Sequence, residues 1–139
     1  NLAIKITLSA AGIFLLAGRL IGILKYRFTM RSAKHRAPVY IDIAHRAALL
    51  YSFAALVMAR LLESSPFPVG WQLAISGVPL LYFTLTIIQY VRLGLAGQEV
   101  TQFNERNFIT TWFMYSLIAG EIAGVAAIVL GFIYTAWRA

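Results

Sequence analysis

Glu121 is the residue with the most chemical content in this chain. It stands thirteen residues into a long apolar stretch, Phe108 to Trp137, and is the one charge inside it. At 1.5 Å per residue that is about 20 Å of helix, close to the centre of a bilayer and too deep for a glutamate to reach water. An ionised carboxylate is costly in hydrocarbon, so a glutamate at that depth reads as a proton or cation site, neutral at rest and titrating when water or an ion arrives. It also reads as a neutral acid that hydrogen-bonds across neighbouring helices. The mid-depth polar residues able to meet it are Ser52, Tyr82, Thr84 and Thr86. Arg19, inside the first apolar stretch, is an ion-pair candidate only if its helix tilts.

His35 and His45 are the two histidines, ten residues apart, and raise the question of a metal or haem. Haem ligands in a membrane bundle sit inside spans and face one another, whereas His35 falls in a basic connection and His45 at a span boundary beside Arg46. No third ligand accompanies them at a metal-site spacing, so no metal site is expected. No cofactor is expected either, although an axial ligand needs one histidine only, which leaves His45 open as a ligand for a haem or a chlorophyll-type pigment. Asp42 and Arg46 form an i,i+4 pair on the same entry turn, and this places His45 in the interface. The chain has no cysteine, which rules out disulfides, thiolate metal sites and cysteine nucleophiles. No paired carboxylates, nucleophile–base pairing or glycine-rich phosphate loop is visible, so no catalytic residue is assigned.

The elements that hold these residues follow from composition. Of 139 residues, 60% are hydrophobic and 12% charged. A soluble domain needs roughly a quarter of its residues charged to cover its surface. The apolar residues gather into four stretches long enough to cross a bilayer, about residues 2–24, 43–62, 71–91 and 108–137. The expected fold is therefore an all-α integral membrane protein, a single four-transmembrane-helix bundle over residues 1–139. The first stretch lacks the compact basic start and small-residue cleavage pattern of a signal peptide and is read as a retained helix, although a chain opening on Asn1 points to a start that is processed or incomplete. Pro66 and Pro68 mark a tight turn between the second and third spans. Gly94 and Gly97 mark the exit of the third, and Thr101 or Asn104 is expected to cap the fourth, with Glu105 near its positive dipole end.

The charge of +7 has a topological meaning. Lys25, Arg27, Arg31, Lys34, Arg36, Arg46, Arg92 and Arg106 fall on one side of the four spans, and Lys5, Arg60 and Arg138 on the other. Eight against three puts the first side in the cytoplasm and both termini outside it. A bacterial inner membrane is the expected location. Trp71, Trp112, Trp137, Tyr90 and Tyr134 stand near span ends, as an interfacial aromatic belt requires. The alternating basic and apolar residues from Lys25 to Arg31 read as a loop lying on the membrane surface, its charges on lipid phosphates or a partner. With Lys34, Arg36, Arg46, Arg92 and Arg106, its Arg27 and Arg31 offer contacts to lipid headgroups or a neighbouring subunit. Nucleic acid is excluded, since no soluble recognition element exists.

Small residues complete the pattern. Gly120, Gly124, Ala127 and Gly131 form a strip along one face of the fourth span, and Gly18 with Gly22 forms a shorter one on the first. Such strips let helix backbones approach closely, within the chain or at a subunit interface.

The four-span layout, the short length and the basic first connection resemble the membrane-associated proteins of eicosanoid and glutathione metabolism, trimeric four-helix proteins of which some are glutathione transferases. In that family the second helix carries an arginine or histidine, then an asparagine, then a glutamate. Here it reads Ile43-Ala44-His45-Arg46-Ala47-Ala48-Leu49-Leu50-Tyr51, with neither the asparagine nor the glutamate, and no residue role is carried over.

Sparse polar chemistry and little chain outside the spans lead to one expectation ahead of others: a small non-catalytic subunit that packs inside a larger membrane complex. A proton- or cation-linked oligomer built on Glu121 is the second reading. An interfacial enzyme or binder for a lipid, quinone, pigment or other amphiphile is the third. The expected partners are membrane lipids and other membrane subunits or further copies of the chain.

Overall fold

The protein is described here by a computed structural model over residues 1–97 and 107–138. Four long helices account for nearly all of it: α1 (Leu2–Arg31), α2 (Val39–Leu62), α3 (Val69–Leu95) and α4 (Met114–Arg138), the last entered through a π-helical turn (Ile109–Phe113). Each is long and apolar enough to cross a membrane, counting the π turn with α4. The expected all-α architecture with four candidate spans is present.

The helix ends are set by local chemistry. The Asn1 side chain caps α1, its Oδ1 accepting from the Ala3 amide at 2.8 Å, and its Nδ2 donates to Gln72 Oε1 at 2.7 Å. Pro38 and Pro68 stand immediately before α2 and α3, where a residue without an N–H costs nothing. Gly97, at φ +74°, takes the left-handed conformation just past the end of α3, and its amide donates to the Gly94 carbonyl. Asn107 and Thr110 bind each other reciprocally, amide to side chain at 2.9 and 3.0 Å, and so close the start of the fourth span. The caps expected from Thr101 and Asn104, and Glu105 beside them, lie outside the described residues.

One boundary differs from the sequence reading. Lys25 to Arg31, expected as a surface loop, is the last two turns of α1. Apolarity ends at Leu24, but helix propensity does not: Lys25, Arg27, Met30 and Arg31 are all good helix formers. The first connection is therefore short, Ser32 to Pro38.

The helices do not form a closed square. α2 and α3 are central; α1 lies mainly along α2, and α4 mainly along α3. The seam of α2 is a run of small buried residues, Ala44, Ala48, Ser52, Ala55 and Ala59, on one helical face. Phe14 meets Phe83 edge-on, and Tyr51 stacks on the other side of this cluster against Phe83 with ring centroids 4.2 Å apart. The beginning of α1, the α2–α3 turn and the end of α4 share one end of the bundle, since Asn1 bonds Gln72 and Gly131 lies against Phe67.

Close backbone approach is built into three helix pairs. A Cβ at Gly18 would come 2.7 Å from Leu49, and one at Gly94 2.6 Å from Ile41, so Gly94 is a contact inside α3 rather than its exit. The tightest fit joins α3 and α4. Pro79 has no N–H, so the Ile75 carbonyl four residues earlier loses its helical donor. Gly124 lies directly against that carbonyl and the proline ring, where a Cβ would be 2.6 Å from both. Replacing Gly124 by leucine is expected to destabilise the bundle by about 1–3 kcal/mol, the usual cost of overpacking. Gly12, which has open space around it, serves as the control. Thermal unfolding in detergent followed by circular dichroism should show a lowered Tm for Gly124→Leu only; equal Tm values for the two variants would refute this packing.

Candidate functional site

Glu121 sits near the middle of the fourth span, half-buried against the bundle. Its Oε1 is buried and has no hydrogen-bond partner among the described residues. Its carboxylate is close enough to act electrostatically on the hydroxyls of Tyr51 and Tyr90. Thr86 lies beside the Tyr51 hydroxyl, with its own Oγ1 buried. Tyr51, Thr86, Gln89 and Tyr90 line a cavity of about 70 Å³, closed on the α4 side by Ile109, Phe113, Met114 and Leu117. The π turn shapes that wall: the Phe113 amide donates five residues back, to the Phe108 carbonyl, and the widened turn places Phe113 between the cavity and Tyr82. A space of this size with polar side chains around it admits water.

The residues expected around Glu121 are only partly those found there. The Ser52 hydroxyl donates to the Leu49 carbonyl at 2.6 Å, and Thr84, on an exposed face, donates to the Leu80 carbonyl at 2.9 Å. Hydroxyls in helices commonly satisfy themselves in this way when no other partner is near. Tyr82 lays its ring edge over Gly120. Arg19 is exposed on α1, which packs on α2 and α3, and makes no ion pair with Glu121. Thr86 is the one expected residue that the fold brings to the cavity. Tyr51 and Tyr90 are additional, and Tyr90 faces inward toward Tyr40 at 5.8 Å rather than joining an outer aromatic belt. A signal for both existed, since each stands on the same helical side as buried core residues of its helix.

The strip on the fourth span has its occupant inside the chain. Gly120 meets Tyr82 and Val78, Gly124 meets Pro79, and Gly131 meets Phe67 and Pro66. On α1, Gly18 and Gly22 receive Leu49 and His45.

His45 is the centre of a second polar group. Its Nδ1 donates to the Gly18 carbonyl at 2.7 Å, and the ring rests where a Gly22 side chain would be. The donation fixes the proton on Nδ1, because a carbonyl can only accept. One turn earlier, Asp42 binds Lys25 at 2.6 Å and Arg46 at 2.9 Å, so that the expected i,i+4 pair is extended across to α1. His35 stands apart, exposed, with φ +52° in the α1–α2 turn. No group of three His, Cys, Asp or Glu residues is close enough to hold a metal ion among the described residues.

The basic residues divide by partner. Arg46 belongs to Asp42, and Arg92 is held by Gln89 Oε1 at 2.8 Å. Arg27, Arg31, Lys34 and Arg36 are exposed around the end of α1 and the following turn. Arg106 lies outside the described residues.

Comparison with known proteins returns no family model, no curated protein and no solved structure that matches this chain.

His45→Ala is expected to weaken the α1–α2 contact, by about 1–2 kcal/mol for the lost hydrogen bond and ring packing. The lowered Tm should be accompanied by faster proteolysis in the Ser32–Pro38 turn; an unaltered Tm would remove His45 as the link between these helices.

Proposed function

We propose that this chain is a small, non-catalytic subunit of a larger membrane assembly, binding its neighbour along α4. The observation that supports this is how little of α4 the chain itself covers. Only Gly124, Ile128 and Gly131 of that helix are buried. Along one side of α4, Glu121, Ile122, Val125, Ala126, Val129 and Leu130 line a shallow, widely open apolar groove. Lipid tails are as apolar as these side chains, so association between helices in a membrane depends on shape, and a groove bordered by alanine and valine suits a partner helix. The charge asymmetry supports an orientation with the Asp42 end in the cytoplasm and both termini outside it, in a bacterial inner membrane.

A second reading rests on a different observation. Thr86, Tyr51 and Tyr90 bring polar groups together around a water-sized cavity, with Glu121 one turn beyond its Leu117 wall on α4, an arrangement suited to passing a proton or a cation. In that case the chain acts in ion flux, as an oligomer.

Extraction in a mild detergent separates the two. The subunit reading expects a defined complex larger than this chain, lost on Ala126→Trp, which fills the groove, and kept on Glu121→Gln. A monodisperse lone chain would count decisively against it. The flux reading expects ion movement in liposomes that Glu121→Gln abolishes, and absence of flux in the parent protein would eliminate it.

A further inference from the structure

We propose that the α1–α2 turn forms a binding site for the phosphate of an anionic lipid headgroup. The turn from Ser32 to Pro38, the last turns of α1, the first residue of α2 and Gly97 just past α3 line a half-open cavity of about 550 Å³ at the end of the bundle where the basic residues gather. Its volume is within the range of roughly 300–1,000 Å³ typical of small-molecule sites. Arg31, Lys34 and Arg36 line it, with Phe28 and Val39 as its apolar wall.

What marks the site is an imbalance of charge. Among the described residues the carboxylates are Asp42, Glu63 and Glu121. Asp42 is bound by Lys25 and Arg46, Glu63 pairs with Arg60 at the far end of α2, and Glu121 is at mid-membrane. None forms an ion pair with Arg31, Lys34 or Arg36, so three cations converge on one cavity without a counter-charge among the described residues. Guanidinium groups bind phosphate through paired N–H donors, and a lysine adds a point charge. Soluble and lipid phosphates share that chemistry; the position favours the lipid. The cavity stands at the end of four membrane-length helices, at headgroup level, and Phe28 and Val39 give its inner wall the apolarity that a glycerol and upper acyl chain require. The turn is also held in shape before any ligand arrives. The Ser32 hydroxyl accepts from the Lys34 amide at 3.3 Å, and the His35 amide donates to the Ser32 carbonyl at 3.1 Å. This inference holds whether or not the chain has a protein partner.

Native mass spectrometry of the full chain in detergent, titrated with phosphatidylglycerol, phosphatidylcholine or inorganic phosphate, tests it. The expected result is a one-to-one phosphatidylglycerol adduct, at least tenfold tighter than phosphatidylcholine. The triple variant Arg31→Gln, Lys34→Gln, Arg36→Gln should weaken it tenfold or more. The triple variant Lys5→Gln, Arg60→Gln, Arg138→Gln, which removes the same charge at the other end, should alter it less than twofold. Arg36→Glu alone, in the exposed turn and remote from helix packing, should weaken the adduct at least fivefold with helicity unchanged. Equal losses in both triple variants would mean a general charge effect and overturn the site. Displacement of the lipid by inorganic phosphate at matching concentration would assign the cavity to a soluble phosphate and overturn the lipid assignment. Absence of any anionic adduct would overturn both.

Discussion

Close contact between helix backbones is the constraint on which the rest of this structure depends. For helices long and apolar enough to stand in hydrocarbon, burying a leucine against another leucine would gain little over burying it against a lipid tail, so apolarity alone gives no general reason to associate. Here the reason is local. Gly18, Gly94 and Gly124 remove the side chains that would hold helices apart, and the alanine seam of α2 does the same along the bundle centre. At Pro79 the same device also meets a polar need, because Gly124 lies against the carbonyl that the proline leaves without its helical donor.

Polar groups are treated with matching economy. Hydroxyls of Thr7, Ser52, Ser76 and Thr84 turn back on their own helices, and His45 spends its Nδ1 proton on the Gly18 carbonyl. Against that background two places stand out. One is the stretch around Glu121, whose buried Oε1 has no hydrogen-bond partner among the described residues. The other is the basic turn, where cations outnumber the carboxylates available to them among the described residues. Both, like the buried Thr135 hydroxyl, depart from the pattern that these hydroxyls and His45 follow, and departures of this kind concentrate at functional sites.

Much of the architecture was legible because a membrane simplifies the signal. Length and apolarity were enough to find four spans, and prolines and glycines were enough to find most of their ends. The end of α1 was not, since the apolar pattern stops at Leu24 while helix-forming residues continue to Arg31. The surroundings of Glu121 were half legible. Depth along a helix can be counted from sequence, which identified Glu121 and Thr86. Which face a residue presents depends on how neighbouring helices are rotated, and that decided against Thr84 and Ser52 and in favour of Tyr51 and Tyr90. The occupant of the Gly120–Gly131 strip was equally a matter of packing: a run of small residues shows that something approaches, and only the fold shows that it is α3 and the turn before it.

The central claim is that the uncovered side of α4 meets another membrane protein. A photo-reactive amino acid placed at Ile122, on the edge of the groove, tests it in native membranes without extraction. Illumination should yield one discrete product, heavier than the chain, containing a second, different polypeptide, while the same probe at Ile13 on the exposed face of α1 should yield none. Lipid adducts alone from position 122, or products indistinguishable between the two positions, would contradict the account.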